Sequence, residues 1–311
     1  MKTKIAVICG PTAVGKTAFA IRAARALDGE IVSCDSMQLY RYMDIGSAKP
    51  TAEERAQAVH HLVDCIDPAG AFSVAQYQKL AREAIADIAG RGKLPVISGG
   101  TGLYLNSILY DMDFSAPPAR DETRDTLYAI AEKEGPEALH RRLSEEDPEA
   151  AARIHPNNVK KVVRALEAAL AGEKVKDFAT QLRPAEDVDP VLVGLSRDRE
   201  ELYGRIDRRV DLLMEAGLLE EVEGLLARGL TESDISMKGI GYKELIGFLN
   251  GEYDLAEAVR LIKRNTRHLA KRQMTWFRRY QDMKWFNISE YGSDELCAGE
   301  MIQWLREAIR R

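Results

Sequence analysis

The chain has 311 residues, 45% of them hydrophobic and 30% charged, with a net charge of −5. This is the composition of a water-soluble globular protein with room for a main core and an inserted or appended subdomain, and no apolar run of about 18 or more residues exists to cross a bilayer. A membrane protein is excluded, and the acidic balance taken as an average argues weakly against a nucleic-acid partner.

Met1 to Lys4 lead directly into the apolar run Ile5 to Cys9, which is too short for a signal-peptide core, so a cytoplasmic protein is expected. That run reads as a strand, Gly10 to Gly15 as a glycine-rich turn, and Lys16 to Leu27 as a helix. Glu30 to Cys34 is a second strand ending at Asp35, and His61 to Ile66 a third. A helix over Val74 to Ala89 follows, then a strand over Pro95 to Ser98 that meets Gly99-Gly100-Thr101, and a helix from Gly102 to Leu109. Residues 115–156 change to charged helical sequence bracketed by Pro117-Pro118 and Pro156, which reads as a helical insertion whose far boundary lies anywhere up to about 187. Pro190 to Leu195 is a further strand, and from Arg199 onward the pattern is almost entirely helical. Short apolar strands alternating with amphipathic helices predict an α/β fold, a parallel sheet flanked by helices, with 1–114 and 157–311 forming the core. Cys9, Cys34, Cys65 and Cys297 lie far apart with no C-x-x-C pair, and are expected to be reduced residues without a functional role.

Gly10-Pro11-Thr12-Ala13-Val14-Gly15-Lys16-Thr17 is a G-x-x-x-x-G-K-[ST] phosphate loop between a strand and a helix. Glycine admits positive φ angles, successive backbone N–H groups and the helix dipole face a phosphate, Lys16 supplies a point charge, and the Thr17 hydroxyl is placed to hold Mg²⁺. In an open parallel sheet ligands sit beyond the carboxyl ends of the strands, which draws attention to Asp35 and Thr101, although position alone also allows a turn and an N-cap. The strand before Gly99 carries no acidic metal ligand of the kind an ATPase uses. The loop is therefore suited to a leaving diphosphate, with Asp35, Asp64 and Asp67 left as alternative acids.

Charge is distributed unevenly. Arg260 to Gln281 contains no acidic residue, and Arg260, Lys263, Arg264, Arg267 and Lys271 fall on one helical stripe. Arg153, His155, Lys160, Lys161 and Arg164 form a second acid-free stretch. Such stripes in an otherwise acidic chain suit a polyanion backbone, with a solvated charged face as the plainer alternative.

At this point the chain resembles the bacterial tRNA dimethylallyltransferases, also called tRNA isopentenyltransferases. Beside the phosphate loop, the likeness rests on Asp35 to Tyr40, Met43 to Pro50, His60 to Leu62, Gly99 to Tyr104, Arg153 to Asn157, Arg164 to Glu167, Gly239 to Tyr242 and Lys271 to Trp276. It implies a P-loop NTPase-like core with a helical insertion and a helical C-terminal part, binding dimethylallyl diphosphate and Mg²⁺. The activity implied is transfer of the dimethylallyl group to N6 of the adenine 3′-adjacent to the anticodon (position 37) in a tRNA anticodon stem-loop. It further implies Asp35 as general base, Thr101 and Arg209 as diphosphate-holding groups, and a monomer without membrane partners. Asp35, Ser36, Met37, Gln38, Thr101, Arg124, Lys160, Lys161, Val162, Val163, Arg164, Lys238, Gly239, Ile240, Gly241 and Tyr242 correspond to tRNA-contacting positions, joined by Arg264, Arg267 and Lys271 of the basic stripe. The family commonly has glutamine and arginine around Lys160-Lys161; lysine keeps charge and loses the bidentate fork.

The chemistry fits this reading, since an allylic diphosphate develops negative charge on its leaving group and an adenine amine needs a carboxylate to take its proton. The base must also leave the loop stack, which a single-stranded loop permits. Rival readings are a P-loop small-metabolite kinase, dimethylallyl transfer to free adenine nucleotide, and an NTP-switched RNA-binding protein.

Overall fold

A computed structural model describes residues 2–112, 121–172 and 182–311, which divide into two compact units, 1–110 with 184–311, and 111–183. In the first unit six parallel strands form one sheet: β1 (Thr3–Cys9), β2 (Gly29–Ser33), β3 (His60–His61), β4 (Leu94–Gly99), β5 (Val188–Ser196) and β6 (Lys284–Asn287), in the order β3-β2-β4-β1-β5-β6. Residues Ile5 to Cys9 are all buried, as expected of a central strand covered on both faces. Side-chain alternation splits them: Ala6 and Ile8 pack with Phe19 and Ala23 of α1 (Lys16–Ala26), whereas Ile5 and Val7 pack with Tyr77 and Ile85 on the opposite face.

The short α2 (Ala52–Gln57) is closed by a Thr51/Glu54 capping box, and α3 (Val74–Gly90), which carries Tyr77 and Ile85, by a Ser73/Gln76 box. α4 (Gly102–Leu109) adds Leu105 and Ile108 to the same face.

The second unit consists, among its described residues, of α5 (Asp121–Glu134), α6 (Pro136–Glu146), α7 (Pro148–Arg153) and α8 (Val159–Leu170) around Leu127, Leu139, Leu143, Val162, Val163 and Leu166. Here the expected boundaries are corrected. The far boundary, left open from 156 to about 187, falls after α8, which turns its apolar face onto α5 and α6, and the unit spans 111–183, so it begins at 111 instead of 115. Part of the expected opening, residues 115–120, lies outside the described residues.

Back in the first unit, α9 (Arg199–Glu215), α10 (Leu218–Ala227), α11 (Tyr242–Leu249) and α12 (Leu255–Phe277) share a core of Val210, Leu218, Val222, Leu245 and Ile262, into which Tyr40 and Met43 also pack. α12 starts at Asp254, whose side chain accepts the Glu257 N–H at 2.8 Å. α13 (Asp294–Arg310) covers α1 through Cys297, Met301 and Leu305.

Two further expectations change. The strand expected over His61 to Ile66 stops at His61, because Leu62 and Asp64 adopt φ of 58° and the chain turns back to bond Gln38 and Leu39. The almost entirely helical reading after Arg199 did not include β6, which pairs Val193 to Ser196 with Lys284 to Asn287. All four cysteines are free; Cys9, Cys34 and Cys297 are buried and Cys65 is exposed.

Candidate active site

β2, β4 and β1 are neighbours in the sheet and run parallel, so the segments leaving their carboxyl ends converge: Asp35 after β2, Thr101 after β4 and the phosphate loop after β1. The approach of β2 and β4 is close enough that a Cβ at Gly99 would lie 2.0 Å from the Cys34 carbonyl oxygen. The phosphate loop and Asp35 line one cavity of about 590 Å³; Thr101 is not in its lining and meets the site through Ser36, next to Asp35.

Arginines hold the phosphate loop from behind. Arg205 Nε donates to the Ala13 carbonyl at 3.0 Å and Arg197 Nε to the Val14 carbonyl at 3.1 Å. Arg197, 4% exposed, is itself fixed by Asp294 at 2.6 and 2.7 Å and by Glu201. Gly15 has φ of 113°, which a side chain would strain, and the turn it makes starts α1. With these carbonyls taken by cations, the loop amides that follow are oriented for an anion. Lys16 Nζ donates to the Gly10 and Pro11 carbonyls at 3.0 and 2.9 Å. Burial pushes the Lys16 ammonium down to about 8, with Asp35 opposing and Arg209 reinforcing the change; burial likewise lowers the Arg209 guanidinium, again opposed by Asp35. Arg209 thus belongs to the same electrostatic cluster as Lys16 and Asp35, whereas its neighbour Arg208 is exposed.

Thr101 occupies the N-cap position of α4 without capping it. Its hydroxyl instead accepts the Ser36 N–H at 3.0 Å and donates to Ser36 Oγ at 3.3 Å. Asp35 Oδ1 accepts the Met37 N–H at 3.0 Å, a local turn bond that leaves Oδ2 without a hydrogen bond from the described residues. Neither alternative acid lines the cavity: Asp64 pairs with Lys49 and with Arg55 at 2.7 Å, and Asp67 makes a turn bond of the same kind as Asp35, accepting the Ala69 N–H at 3.0 Å. Thr17 lines the cavity, and its hydroxyl has no hydrogen-bond partner among the described residues. No group of three His, Cys, Asp or Glu suited to a metal occurs among the described residues, so a cation here would rely on Thr17, substrate oxygens and water, a donor set that suits Mg²⁺.

Away from the loop the lining is mixed: Met37, Leu213, Leu218, Ile240, Ile262 and Leu269 supply an apolar part, and Gln38, Lys49, Glu54 and Thr266 a polar one. Gly46 to Lys49 also line the cavity, and Glu221 holds the start of this segment by accepting the N–H groups of Asp44, Ile45 and Gly46 at 2.7, 2.7 and 3.0 Å. The same carboxylate accepts the Tyr242 hydroxyl at 2.8 Å, and the Tyr242 ring packs so tightly on Gly46 that a Cβ there would lie 2.5 Å away. Lys49 completes the clamp from Tyr40 O and Asp44.

Several expected RNA-facing positions have structural duties. Tyr242 is fully buried in this clamp, and Val162 and Val163 are 0% and 1% exposed in the core of the insertion, so these three side chains offer no surface to a macromolecule. Helical spacing around Lys160-Lys161-Val162-Val163-Arg164 places the valines inward and the three cations outward. Arg124 is bonded to buried Glu167 at 2.6 and 3.1 Å. The stripe on α12 is partly neutralised: Lys263 pairs with Asp211 at 2.6 Å, Arg267 with Asp207 at 2.5 Å and Arg260 with Glu257 at 2.5 Å. Arg264 and Lys271 are exposed and form no ion pair among the described residues, and Lys238 is exposed beside Gly239, Ile240 and buried Gly241. Sequence reading gave no role to Gln273, Arg197, Arg205 or Glu221, whose partners lie more than 170 residues away in sequence.

The parallel sheet with a phosphate loop, and an acid and a hydroxyl beyond adjacent strands, defines a P-loop NTPase-like protein. Residues 38–280 match the profile of the IPP transferase family, and the chain belongs to that family. It is 52% identical over 299 residues to the tRNA dimethylallyltransferase of Alkaliphilus oremlandii, covering 96% of each. The crystal structure of the full-length tRNA isopentenylpyrophosphate transferase of Bacillus halodurans is similar with a TM-score of 0.76 and 42% identity, over 99% of this chain and 97% of that one. A eukaryotic dimethylallyltransferase acting on tRNA is similar with a TM-score of 0.78 and 27% identity, over 95% of this chain and 75% of that one.

Proposed function

We propose that this enzyme transfers the dimethylallyl group of dimethylallyl diphosphate to N6 of the adenine 3′-adjacent to the anticodon of tRNA, releasing diphosphate. The observation that carries the reading is the cavity itself, whose lining gathers the phosphate loop, Arg209 and Asp35 with an apolar patch of Leu213, Leu218 and Ile262. An apolar patch beside the phosphate loop suits a five-carbon allylic chain.

The loop amides, Lys16 and Arg209 bind the diphosphate and stabilise the charge that develops as the allylic C–O bond breaks. Thr17 would hold Mg²⁺, which when bound adds cationic charge to the leaving diphosphate. Asp35 accepts a proton from the adenine amine as N6 attacks the allylic carbon, and Thr101, bonded to both the N–H and the hydroxyl of Ser36, fixes the turn that carries that carboxylate. The exposed cations Arg264, Lys271 and Lys238, and separately Lys160, Lys161 and Arg164 on the insertion, meet RNA phosphates. A cytoplasmic, monomeric enzyme is part of the same reading.

Incubation with unmodified tRNA, Mg²⁺ and labelled dimethylallyl diphosphate, with adenosine monophosphate and ATP as competing acceptors and donors, tests this. Label is expected in tRNA alone. Label in free nucleotide, or phosphate transfer from ATP, would replace this reading by one of its rivals.

A further inference from the structure

The β1–β4 ladder ends at the pair Cys9 and Gly99, immediately before the two turns that carry the chemistry. Past that point backbone pairing no longer fixes how far the phosphate loop stands from the Gly99-Gly100-Thr101 turn. One side chain bridges them. Gln273, on the last two turns of α12, accepts the Thr12 N–H through Oε1 at 2.8 Å and donates through Nε2 to the Gly100 carbonyl at 2.9 Å. The neutral primary amide is suited to this, because it accepts with one atom and donates with the other.

The glycines opposite show that close approach of α12 is built into the fold. A Cβ at Gly100 would lie 2.4 Å from Gln273 Nε2, and one at Gly102 would lie 2.3 Å from the Trp276 ring. Gln273 and Trp276, one helical turn apart, therefore seat α12 on the turn between β4 and α4, and Phe277 anchors the same helix in the core. Gln273 also lines the cavity that holds Lys16, Thr17 and Asp35.

We infer that Gln273 is a positioning residue that sets the separation between the diphosphate-binding loop and the turn bearing Thr101, and through Thr101 and Ser36 the Asp35 carboxylate. The inference rests on the transferase reading above. The reacting carbon is attached to one end of this system and its nucleophile is held by the other, so a drift of about 1 Å between them costs on the order of 100-fold in rate. Binding of diphosphate by itself needs the loop, Lys16 and Arg209, with Arg197 and Arg205 bracing the loop, and does not call on the turn bearing Thr101.

The test uses Gln273→Met, which keeps side-chain length and removes both hydrogen bonds, and Gln273→Glu, which keeps an acceptor for Thr12 and loses the donor to Gly100. Turnover with saturating tRNA, KM for tRNA, and the dissociation constant of inorganic diphosphate measured by calorimetry without tRNA are compared with the wild type. For Gln273→Met the expected result is a fall in kcat of about 30- to 100-fold with tRNA KM and diphosphate affinity within about threefold. Gln273→Glu is expected to lose turnover as well, because its carboxylate cannot hold the Gly100 carbonyl. Unchanged kcat in either folded variant overturns the inference, as does a loss of diphosphate affinity equal to the loss of turnover, which would make Gln273 a support of the loop alone. Wild-type protein that transfers no label to tRNA would overturn the transferase reading, and this inference with it, before any variant is compared.

Discussion

Replacing Lys16 by methionine is expected to weaken diphosphate binding and, at the same time, to relieve a strain on the fold that depends on pH. Burial pushes the Lys16 ammonium from its ordinary 10.5 down to about 8, against the pull of Asp35 and with the push of Arg209. A change of that size corresponds to about 3 kcal/mol of cost for keeping the group charged at neutral pH. The side chain borders a cavity open to water, where screening brings the working figure to about 1–2 kcal/mol. Loss of the hydrogen bonds to the Gly10 and Pro11 carbonyls offsets part of this by a constant amount, so the pH dependence is the informative quantity. Below about pH 8 the lysine is charged in both folded and unfolded chains and its cost is fully present. Between about 8 and 10.5 the unfolded chain holds a proton that the folded one has released, so wild-type stability rises relative to the variant. Urea unfolding of the two proteins at pH 7 and about pH 9.5 should show the gap shifting in favour of the wild type by about 1 kcal/mol. Calorimetry with diphosphate should show the wild type binding more weakly as pH rises through about 8, and the variant binding about 10- to 100-fold more weakly at pH 7. An identical pH slope of stability in both proteins, or undiminished diphosphate binding by Lys16→Met, would refute the reasoning.

Asp35→Asn keeps the Met37 turn bond and removes the proton acceptor, so turnover should fall by about 10²- to 10⁴-fold with tRNA affinity within about threefold. Equal losses in both would mean that Asp35 holds RNA and moves no proton. Arg264→Glu with Lys271→Glu should weaken tRNA binding at unchanged diphosphate affinity, and each lost phosphate contact should reduce the salt slope by about 1; tRNA affinity that stays put would remove α12 from the RNA-binding surface. Arg267→Glu should act differently, lowering stability in a melting experiment because it places a carboxylate against Asp207.

The parts of the site that depend on neighbouring residues were legible before any coordinates. The phosphate loop is a contiguous motif between an apolar run and a helix, and Asp35 and Thr101 stand directly after strands, where a parallel sheet presents its ligands. What escaped depends on residues far apart in the chain. Gln273 reaches Thr12 across 261 positions from a stretch that looks like ordinary amphipathic helix, and Arg197 reaches Val14 across 183 from the short connection between β5 and α9. β6 is four residues long and its neighbours are helical, so periodicity had too little sequence to register it. α8 carries an apolar stripe that could have packed on the sheet or on the insertion; only the positions of Leu127, Leu139 and Leu143 decide for the insertion. The stripe of cations on α12 was legible as a pattern. The ion pairs that neutralise Lys263 and Arg267 come from Asp211 and Asp207 on α9, which sequence does not place beside it.

The central claim is that one cavity joins diphosphate departure to attack by a tRNA adenine. Its most direct test is the mass of the anticodon-loop fragment excised from a tRNA transcript after reaction with dimethylallyl diphosphate and Mg²⁺, beside a transcript whose adenine 3′ of the anticodon is replaced by guanine. One dimethylallyl group on the adenine transcript, carried at N6 on nucleoside analysis and absent from the guanine transcript, is the predicted result. An unmodified fragment from both, or the same addition to both, would contradict it.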